Sequence, residues 1–316
     1  MHLSTQQNRS VRAAGRRLLL YAWLVLIHDE VTQALKNHEP VVALESTVIT
    51  HGLPAPLNLE TARRLEAAVR EEGAVPATIG ILEGEVRVGL GDGELEQLAT
   101  RNDVEKASLW NLAAVVAAGR WGGTTVATTA HLAARAGLRV FATGGIGGVH
   151  PLPYDESGDL LALARTPIVV VSAGPKSILD LAATLERLES YGVGVVGYKT
   201  MYLPAFHSPD SPYQLPATVW SEAEAAAHWR AARELGLESA TMVFNPVSQG
   251  IPFGEVMAWV EQANREARAA GIGGKDLTPY LLRRLSELSE GRSDEVNLRL
   301  LEENARLAAR IARWLA

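Results

Sequence analysis

Four stretches of this chain carry side chains whose type and spacing suit catalysis. In Val41-Val42-Ala43-Leu44-Glu45-Ser46 a glutamate directly follows four apolar residues. A carboxyl group at the rim of a core loses hydration, which raises its pKa and suits it to proton transfer. Read alone, a surface carboxylate that ends a strand is the simpler account. In Ser172-Ala173-Gly174-Pro175-Lys176-Ser177 a lysine lies between an apolar strand and a helix expected to begin near Ser177. Apolar surroundings and the positive end of a helix both disfavour an ammonium ion, so a nucleophilic amine is predicted there. A phosphate-binding lysine is the competing role, although the P-loop pattern G-x-x-x-x-G-K is absent. Between these stretches, Gly144-Gly145-Ile146-Gly147-Gly148-Val149-His150 holds four glycines. Such a run lets the backbone approach a ligand and offers N–H donors to an anion. It does not fit the dinucleotide fingerprint G-x-G-x-x-G, and a flexible turn is the alternative. Asp155, Ser157 and Asp159 follow at alternate positions, a spacing that could turn two or three oxygens toward one hard cation. Solvated acidic loops share that spacing.

The elements that must position these residues read as alternating short β-rich runs and amphipathic helices beyond residue 40. Strands are expected at Val41–Ser46, Ala77–Leu82, Val86–Leu90, Thr124–Ala127, Val140–Thr143, Ile168–Ser172, Val193–Tyr198 and Thr241–Phe244. Leu59, Ala62, Leu65, Ala68 and Val69 form one apolar helical stripe, with Asn58 expected as its N-cap. Similar stripes run through Ile178–Leu188, Ala223–Leu235, Val256–Ala270 and Leu298–Leu315. Uninterrupted apolar strands such as Ile168-Val169-Val170-Val171 predict a sheet covered on both faces. The fold class is therefore α/β, a three-layer α/β/α sandwich, and a hairpin turning at Glu83-Gly84 makes its central sheet mixed. Strand ends carrying Glu45, Gly144 and Lys176 would then share the carboxyl edge where open α/β sheets bind ligands.

Bulk properties narrow the partners. The chain has 316 residues, 47% hydrophobic and 21% charged, with a net charge of −6 that forms no acidic or basic block. Nucleic-acid backbones need concentrated Lys and Arg, so they are not expected as partners. A small anion needs only a few local donors. The absence of cysteine excludes disulfides, zinc–thiolate sites and thiol nucleophiles. Arg9, Arg12, Arg16 and Arg17 precede an apolar run from Leu18 to Ile27, which imitates a signal peptide. That run meets His28, Asp29 and Glu30 without a small-residue cleavage site, and it is far short of the roughly 20 residues that span a bilayer. Residues 1–29 are accordingly expected to be a start-site extension or an extra helix. Residues 30–316 are expected to form a single catalytic domain of a cytoplasmic protein with no membrane partner.

Longer motifs carry a resemblance. They are Val42-Ala43-Leu44-Glu45-Ser46-Thr47 with His51-Gly52, Gly73-Ala74-Val75-Pro76-Ala77-Thr78-Ile79, Gly123-Thr124-Thr125-Val126, Phe141 to His150, and Ala173 to Asp180. Leu203-Pro204-Ala205-Phe206, Asn245-Pro246, and Gly274-Lys275 with Thr278-Pro279 complete the set. From about Glu30 onward the chain resembles the pseudouridine-5′-phosphate glycosidase family, the indigoidine synthase A-like proteins. The resemblance implies a homotrimer using one Mn²⁺ or another divalent cation per subunit. It also implies reversible cleavage of the C–C glycosidic bond of pseudouridine 5′-phosphate to uracil and ribose 5-phosphate through a lysine Schiff base. By resemblance Lys176 is the nucleophile, Glu45 the proton donor and Asp155 the metal ligand. Lys106, Val126, His150, Ser157, Gly158, Asp159 and Asn297 match substrate-binding positions, and Asn304 is a second asparagine of the final helical region. Lys106 and the glycine-loop amides are the expected phosphate donors. Two departures stand out: the stretch from His150 to Asp155 is shorter than the family pattern and contains Pro151 and Pro153, and Ala107-Ser108-Leu109-Trp110-Asn111 lacks a basic pattern. Three other readings stay open. They are a C-glycosynthase joining ribose 5-phosphate to an aromatic acceptor, a non-catalytic sugar-phosphate-binding protein, and a hydrolase using Glu45 with Asp155.

Overall fold

A computed structural model of the chain describes residues 25–151, 155–273 and 277–316. Its strands are β1 (Val25–Ile27), β2 (Val41–Leu44), β3 (Val75–Leu82), β4 (Glu85–Val88), β5 (Glu105–Ala107), β6 (Gly122–Thr124), β7 (Val140–Ala142), β8 (Val149–His150), β9 (Asp155–Glu156), β10 (Val169–Ser172), β11 (Gly194–Tyr198), β12 (Thr218–Val219) and β13 (Thr241–Phe244). Its helices are α1 (Asp29–Lys36), α2 (Leu57–Glu71), α3 (Asp92–Thr100), α4 (Leu112–Ala117), α5 (Val126–Arg135), α6 (Gly158–Leu163), α7 (Leu181–Ser190), α8 (Glu222–Glu234), α9 (Phe253–Ala269), α10 (Leu277–Leu288) and α11 (Arg292–Leu315).

Among the described residues eleven strands form one sheet in the order β1-β4-β3-β2-β7-β10-β13-β11-β12, with β6 also on β3 and β5 on β6. The pairs from β3 through β2 and β7 to β12 are parallel. The β3 pairs with β4 and β6 are antiparallel, so the sheet is mixed as expected. The hairpin turns at Glu83 and Gly84 with φ of 52° and 81°, the left-handed pair that a two-residue loop requires.

Strand composition explains the three layers. Successive side chains of a strand face opposite sides, and here both sides are apolar. Val42, Leu44, Val140, Ala142, Val169 and Val171 join one core with residues of α2, α8, α9 and α11. Val41, Ala43, Phe141, Ile168 and Val170 join the other with α1, α5, α6 and α7. The long helix α11 lies across β2, β7 and β10, burying Leu300, Leu301, Leu307 and Ile311. Leu300 is fully buried, and truncating such a leucine to alanine costs about 2–5 kcal/mol.

Four expectations are corrected. Residues 1–24 lie outside the described residues, but Val25–Ile27 is a strand parallel to β4 rather than a helix. Of the strand expected at Thr124–Ala127 only Thr124 belongs to a strand. Thr125 caps α5 instead, its side chain accepting from the Thr128 amide; a cap that binds its own helix start overrides β-branched strand propensity. Pro56, not Asn58, precedes α2, and Asn58 is buried, donating to the carbonyls of Ile49 and Ala99 at 2.9 Å each. The helix after Lys176 begins at Leu181, where Asp180 caps it. Among the described residues no helix is long and apolar enough to cross a membrane.

Candidate active site

Strands β2, β7 and β10 are adjacent and parallel. From β2 the chain continues to β3 on one side, while β7 leads to β10 on the other. In open α/β sheets ligands bind at such a reversal, at the carboxyl ends of the strands. Glu45 directly follows β2, Thr143 directly follows β7, and Lys176 lies four residues beyond β10. The Thr143 hydroxyl donates a short hydrogen bond to Glu45 Oε1. Loss of hydration raises the Glu45 pKa above the usual carboxylate range. The Lys176 charge and the Thr143 hydrogen bond oppose that rise, Asp159 adds to it, and Lys106 opposes it again. Lys106 is exposed as a residue, yet crowding of its ammonium lowers its pKa; the Lys176 charge lowers it further, against Asp159 and Glu45. The fold thus brings Glu45, Lys106, Asp159 and Lys176 into one electrostatic cluster.

Lys176 is half-buried on a bonded turn rather than at a helix start. Its amide donates to the Ile146 carbonyl and the Ile146 amide donates to the Gly174 carbonyl, both at 3.1 Å. The turn is therefore stitched to the glycine loop. That loop is packed and internally bonded along Ile146, Gly147 and Val149. Gly144, Gly145 and Gly148 are buried. A Cβ on Gly148 would stand 2.3 Å from Thr184 Oγ1, and one on Gly147 2.3 Å from Ser157 Oγ. The amide of Gly147 donates to Asp159 Oδ2 at 2.9 Å and that of Val149 to Thr184 Oγ1 at 3.0 Å. With Ile146 also engaged, these three amides are taken up within the protein, and only that of Gly147 serves an anion, the Asp159 carboxylate.

Asp155, Ser157 and Asp159 do not converge on one cation position. Asp155 is exposed in β9, level with His150 of β8. Ser157 caps α6 by accepting from the Asp159 amide. Asp159 is buried, its other oxygen accepting from the Ala127 amide at 3.0 Å. Gly158 is exposed at the start of α6, close to Ser108 on the loop that follows Lys106. Among the described residues no three His, Cys, Asp or Glu side chains gather as a metal cluster. Residues 152–154, with Pro153, and the motif residues Gly274-Lys275 lie outside the described residues.

His150 is half-buried, its Nδ1 without a hydrogen-bond partner among the described residues and its Nε2 3.4 Å from Thr278 Oγ1. Burial lowers its pKa, Asp155 opposes this, and Lys176 reinforces it. Val126 is the first residue of α5 and is buried in the core, so its backbone is what it can present to a ligand. Asn297 is half-buried on α11. Asn304 is fully buried and donates to the carbonyls of Thr143 and Gly144 at 2.9 and 3.3 Å while accepting from Asn245. It braces the end of β7 and has no face for phosphate. The basic pattern missing after Lys106 is replaced by a local clamp: Asn111 accepts from the Ser108 amide and donates to the Lys106 carbonyl. Two neighbours of the cluster carried no role in the sequence reading. Thr143 was legible only as the residue beside Glu45 in the next strand. His51, on a π-helical turn at Val48–Gly52, has its pKa lowered by burial and then by Lys106, against a hydrogen bond with the Val104 backbone.

Comparison with known proteins agrees with this architecture. The family model for indigoidine synthase A like protein matches residues 30–314. A pseudouridine-5′-phosphate glycosidase of Thermus thermophilus is 66% identical over 88% of this chain and 98% of its own length. One of Paracoccus denitrificans is 51% identical over 93% and 99%. Among solved structures, the prealnumycin C-glycosynthase AlnA in complex with ribulose 5-phosphate superposes with a TM-score of 0.85 at 37% identity, covering 92% of this chain and 96% of that one. An indigoidine synthase A-like protein of Thermotoga maritima gives 0.84 at 38%, covering 92% and 97%. The chain that places Glu45 and Lys176 on this sheet edge belongs to the indigoidine synthase A-like family.

Proposed function

We propose that this protein is a pseudouridine-5′-phosphate glycosidase that cleaves its substrate to uracil and ribose 5-phosphate through a Schiff base on Lys176. One observation carries the reading: the Lys176 charge acts on Glu45, a carboxylic acid whose pKa burial raises, at one sheet edge. The chain's 66% identity to the Thermus enzyme supports it. A C-glycosidic bond has no leaving oxygen to protonate, so the two-carboxylate route of ordinary glycosidases does not apply. The Lys176 amine attacks C1′ as the C1′–O4′ bond opens and O4′ takes up a proton. Glu45 then delivers a proton to uracil C5. The C1′–C5 bonding pair returns to the base ring while the amine lone pair forms the C1′=N iminium. Water hydrolyses that iminium to ribose 5-phosphate and frees the lysine. Lys106 supplies a cation for the phosphate, Asp159 holds the glycine loop and the start of α5, and Val126, His150, Ser157, Gly158 and Asn297 border the substrate.

The exposed Asp155 carboxylate is a hard oxygen donor of the kind that suits Mn²⁺, and among the described residues no cluster of three His, Cys, Asp or Glu side chains forms around it. Bound there, the ion would offset substrate phosphate charge. The active form in this reading is a cytoplasmic homotrimer with one such ion per subunit. Asp155→Ala should weaken Mn²⁺ binding in calorimetry, and chelation should abolish turnover; full activity in excess chelator would remove the metal from the scheme.

The deciding assay incubates purified protein with pseudouridine 5′-phosphate and Mn²⁺. Uracil release supports the reading, and none refutes it. The 37% identity to a C-glycosynthase keeps a second reading in view. Offering ribose 5-phosphate with equal uracil and a naphthoquinone-type acceptor separates the two, with pseudouridine 5′-phosphate as the expected main product.

A further inference from the structure

The segment from Leu203 to Ser208 has no part in the chemistry above, yet it is buried throughout and closes on the turn that carries Lys176. The Phe206 amide donates to the Ala173 carbonyl at 2.8 Å. The Pro204 carbonyl lies 2.0 Å from where a Cβ on Gly174 would stand, and Gly174 has a φ of 94°, so only glycine fits there. Phe206 itself takes a φ of 61°, a conformation that bulky residues adopt only where their surroundings impose it. Its ring covers Gly145, whose Cβ would meet Phe206 Cδ2 at 2.4 Å.

The next residue, His207, is 3% exposed, with its ring edge-on to Phe206 at 4.8 Å between centroids. Desolvation holds its pKa down to about 4, so the imidazole is neutral at physiological pH. A count of hydrogens gives its tautomer. Ser177, directly after Lys176, donates its one hydroxyl proton to the Ala205 carbonyl at 2.8 Å. His207 Nδ1 lies 3.0 Å from the same hydroxyl oxygen and must therefore be the protonated nitrogen that donates to it.

We propose that His207 is a positioning residue for Lys176, its Nδ1–H fixing, through Ser177 Oγ, the turn from which the lysine reaches the sugar. The inference rests on Lys176 being the nucleophile. A neutral imidazole suits the task because it adds no third cation beside Lys106 and Lys176. Attack at C1′ tolerates little displacement, since a 1 Å misplacement can cost roughly 100-fold in rate. Loss of the clamp should therefore lower kcat and leave KM nearly unchanged, because His207 does not touch the substrate.

Three variants test this: His207→Phe keeps the ring but loses the donor, His207→Asn restores an N–H near the Nδ1 position, and Ser177→Ala removes the linking hydroxyl. The readouts are turnover of pseudouridine 5′-phosphate and the rate at which borohydride traps ribose 5-phosphate on Lys176. His207→Phe and Ser177→Ala should each slow both by roughly 10- to 100-fold with KM held within about twofold. His207→Asn should recover most of the rate, and the double variant should be no slower than either single one. Trapping at the wild-type rate in His207→Phe and Ser177→Ala, or losses that multiply in the double variant, would overturn the inference while leaving the Schiff base intact. If His207→Phe does not fold, Ser177→Ala decides alone. If the wild-type protein turns over but is never trapped, the nucleophile assignment fails and takes this inference with it.

Discussion

At the carboxyl edge of the sheet Glu45, Lys106, Asp159 and Lys176 act on one another electrostatically, yet among the described residues none of them closes an ion pair. Across the helical layer the pattern is opposite: Arg64, Arg306 and Arg310 of α2 and α11 each close on a carboxylate. At the edge the carboxylates are satisfied by other donors, Glu45 by the Thr143 hydroxyl and Asp159 by two backbone amides. A carboxylate bridged to a lysine favours the ammonium form, which cannot attack carbon. Here hydroxyl and amide donors serve the acids instead, and among the described residues neither lysine is held in such a bridge, as the nucleophile proposed at Lys176 requires.

The largest break comes from Lys176. Lys176→Arg keeps the charge but cannot deprotonate, and with Lys176→Ala it should lower turnover by roughly 10³-fold or more. Neither variant should be labelled by borohydride with ribose 5-phosphate. Near-normal activity in the arginine variant would make the lysine a phosphate contact.

Glu45→Gln should lower kcat by roughly 10²–10⁴, the scale of lost acid–base help, and it also exposes the cost of the site. A carboxyl whose pKa is raised on folding binds its proton more tightly when folded. Its stabilising contribution is full below the ordinary carboxylate range and is lost as pH rises through the raised value. The wild-type melting temperature should therefore fall across that window, and Glu45→Gln, which cannot ionise, should fall less. Identical melting profiles would show that Glu45 is not desolvated.

Much of this was legible in the residues. Ile168-Val169-Val170-Val171 announced a doubly covered strand, and the apolar repeat of α11 announced its packing. Glu45 and Lys176 stood out because each follows an apolar strand. What escaped depended on distant partners. Thr124-Thr125-Val126 looks extended until Thr125 is seen capping α5. Nothing local in the glycine run says that Asp159 will take the Gly147 amide, nor that Phe206 and Thr184 will fill the space the glycines leave. Asn304 looked like a ligand group because its partners, the carbonyls of Thr143 and Gly144, lie about 160 residues away.

Asn304→Ala probes the middle of the scale. It removes the Asn304 donor from the Thr143 carbonyl and the acceptor from Asn245, while the Gly144 carbonyl keeps the Ala173 amide; leaving a buried polar group unsatisfied costs about 1–3 kcal/mol. Thr143, whose hydroxyl holds Glu45, loses its brace at the same time. A chemical-denaturation midpoint should fall, and kcat should drop more than KM changes. A loss of stability with kcat untouched would confine Asn304 to packing.

The smallest effect belongs to the surface pairs. Arg306 approaches Glu71 at 2.6 Å across α11 and α2, with side-chain exposures of 36% and 61%. Water competes for both groups, and holding two long side chains together costs entropy, so such pairs contribute about 0–1 kcal/mol. Arg306→Ala should shift the denaturation midpoint by no more than that, the shift should shrink in 1 M salt, where the screening length is about 3 Å, and turnover should be unchanged. The salt test matters because the Arg306 side chain is only 36% exposed, and any packing of its stem is not screened. A stability loss that persists in salt would assign the effect to packing. A fall in kcat would be more serious, because it would couple the paired surface charges to the unpaired cluster at Glu45 and Lys176 and remove the separation on which the contrast between the two regions depends.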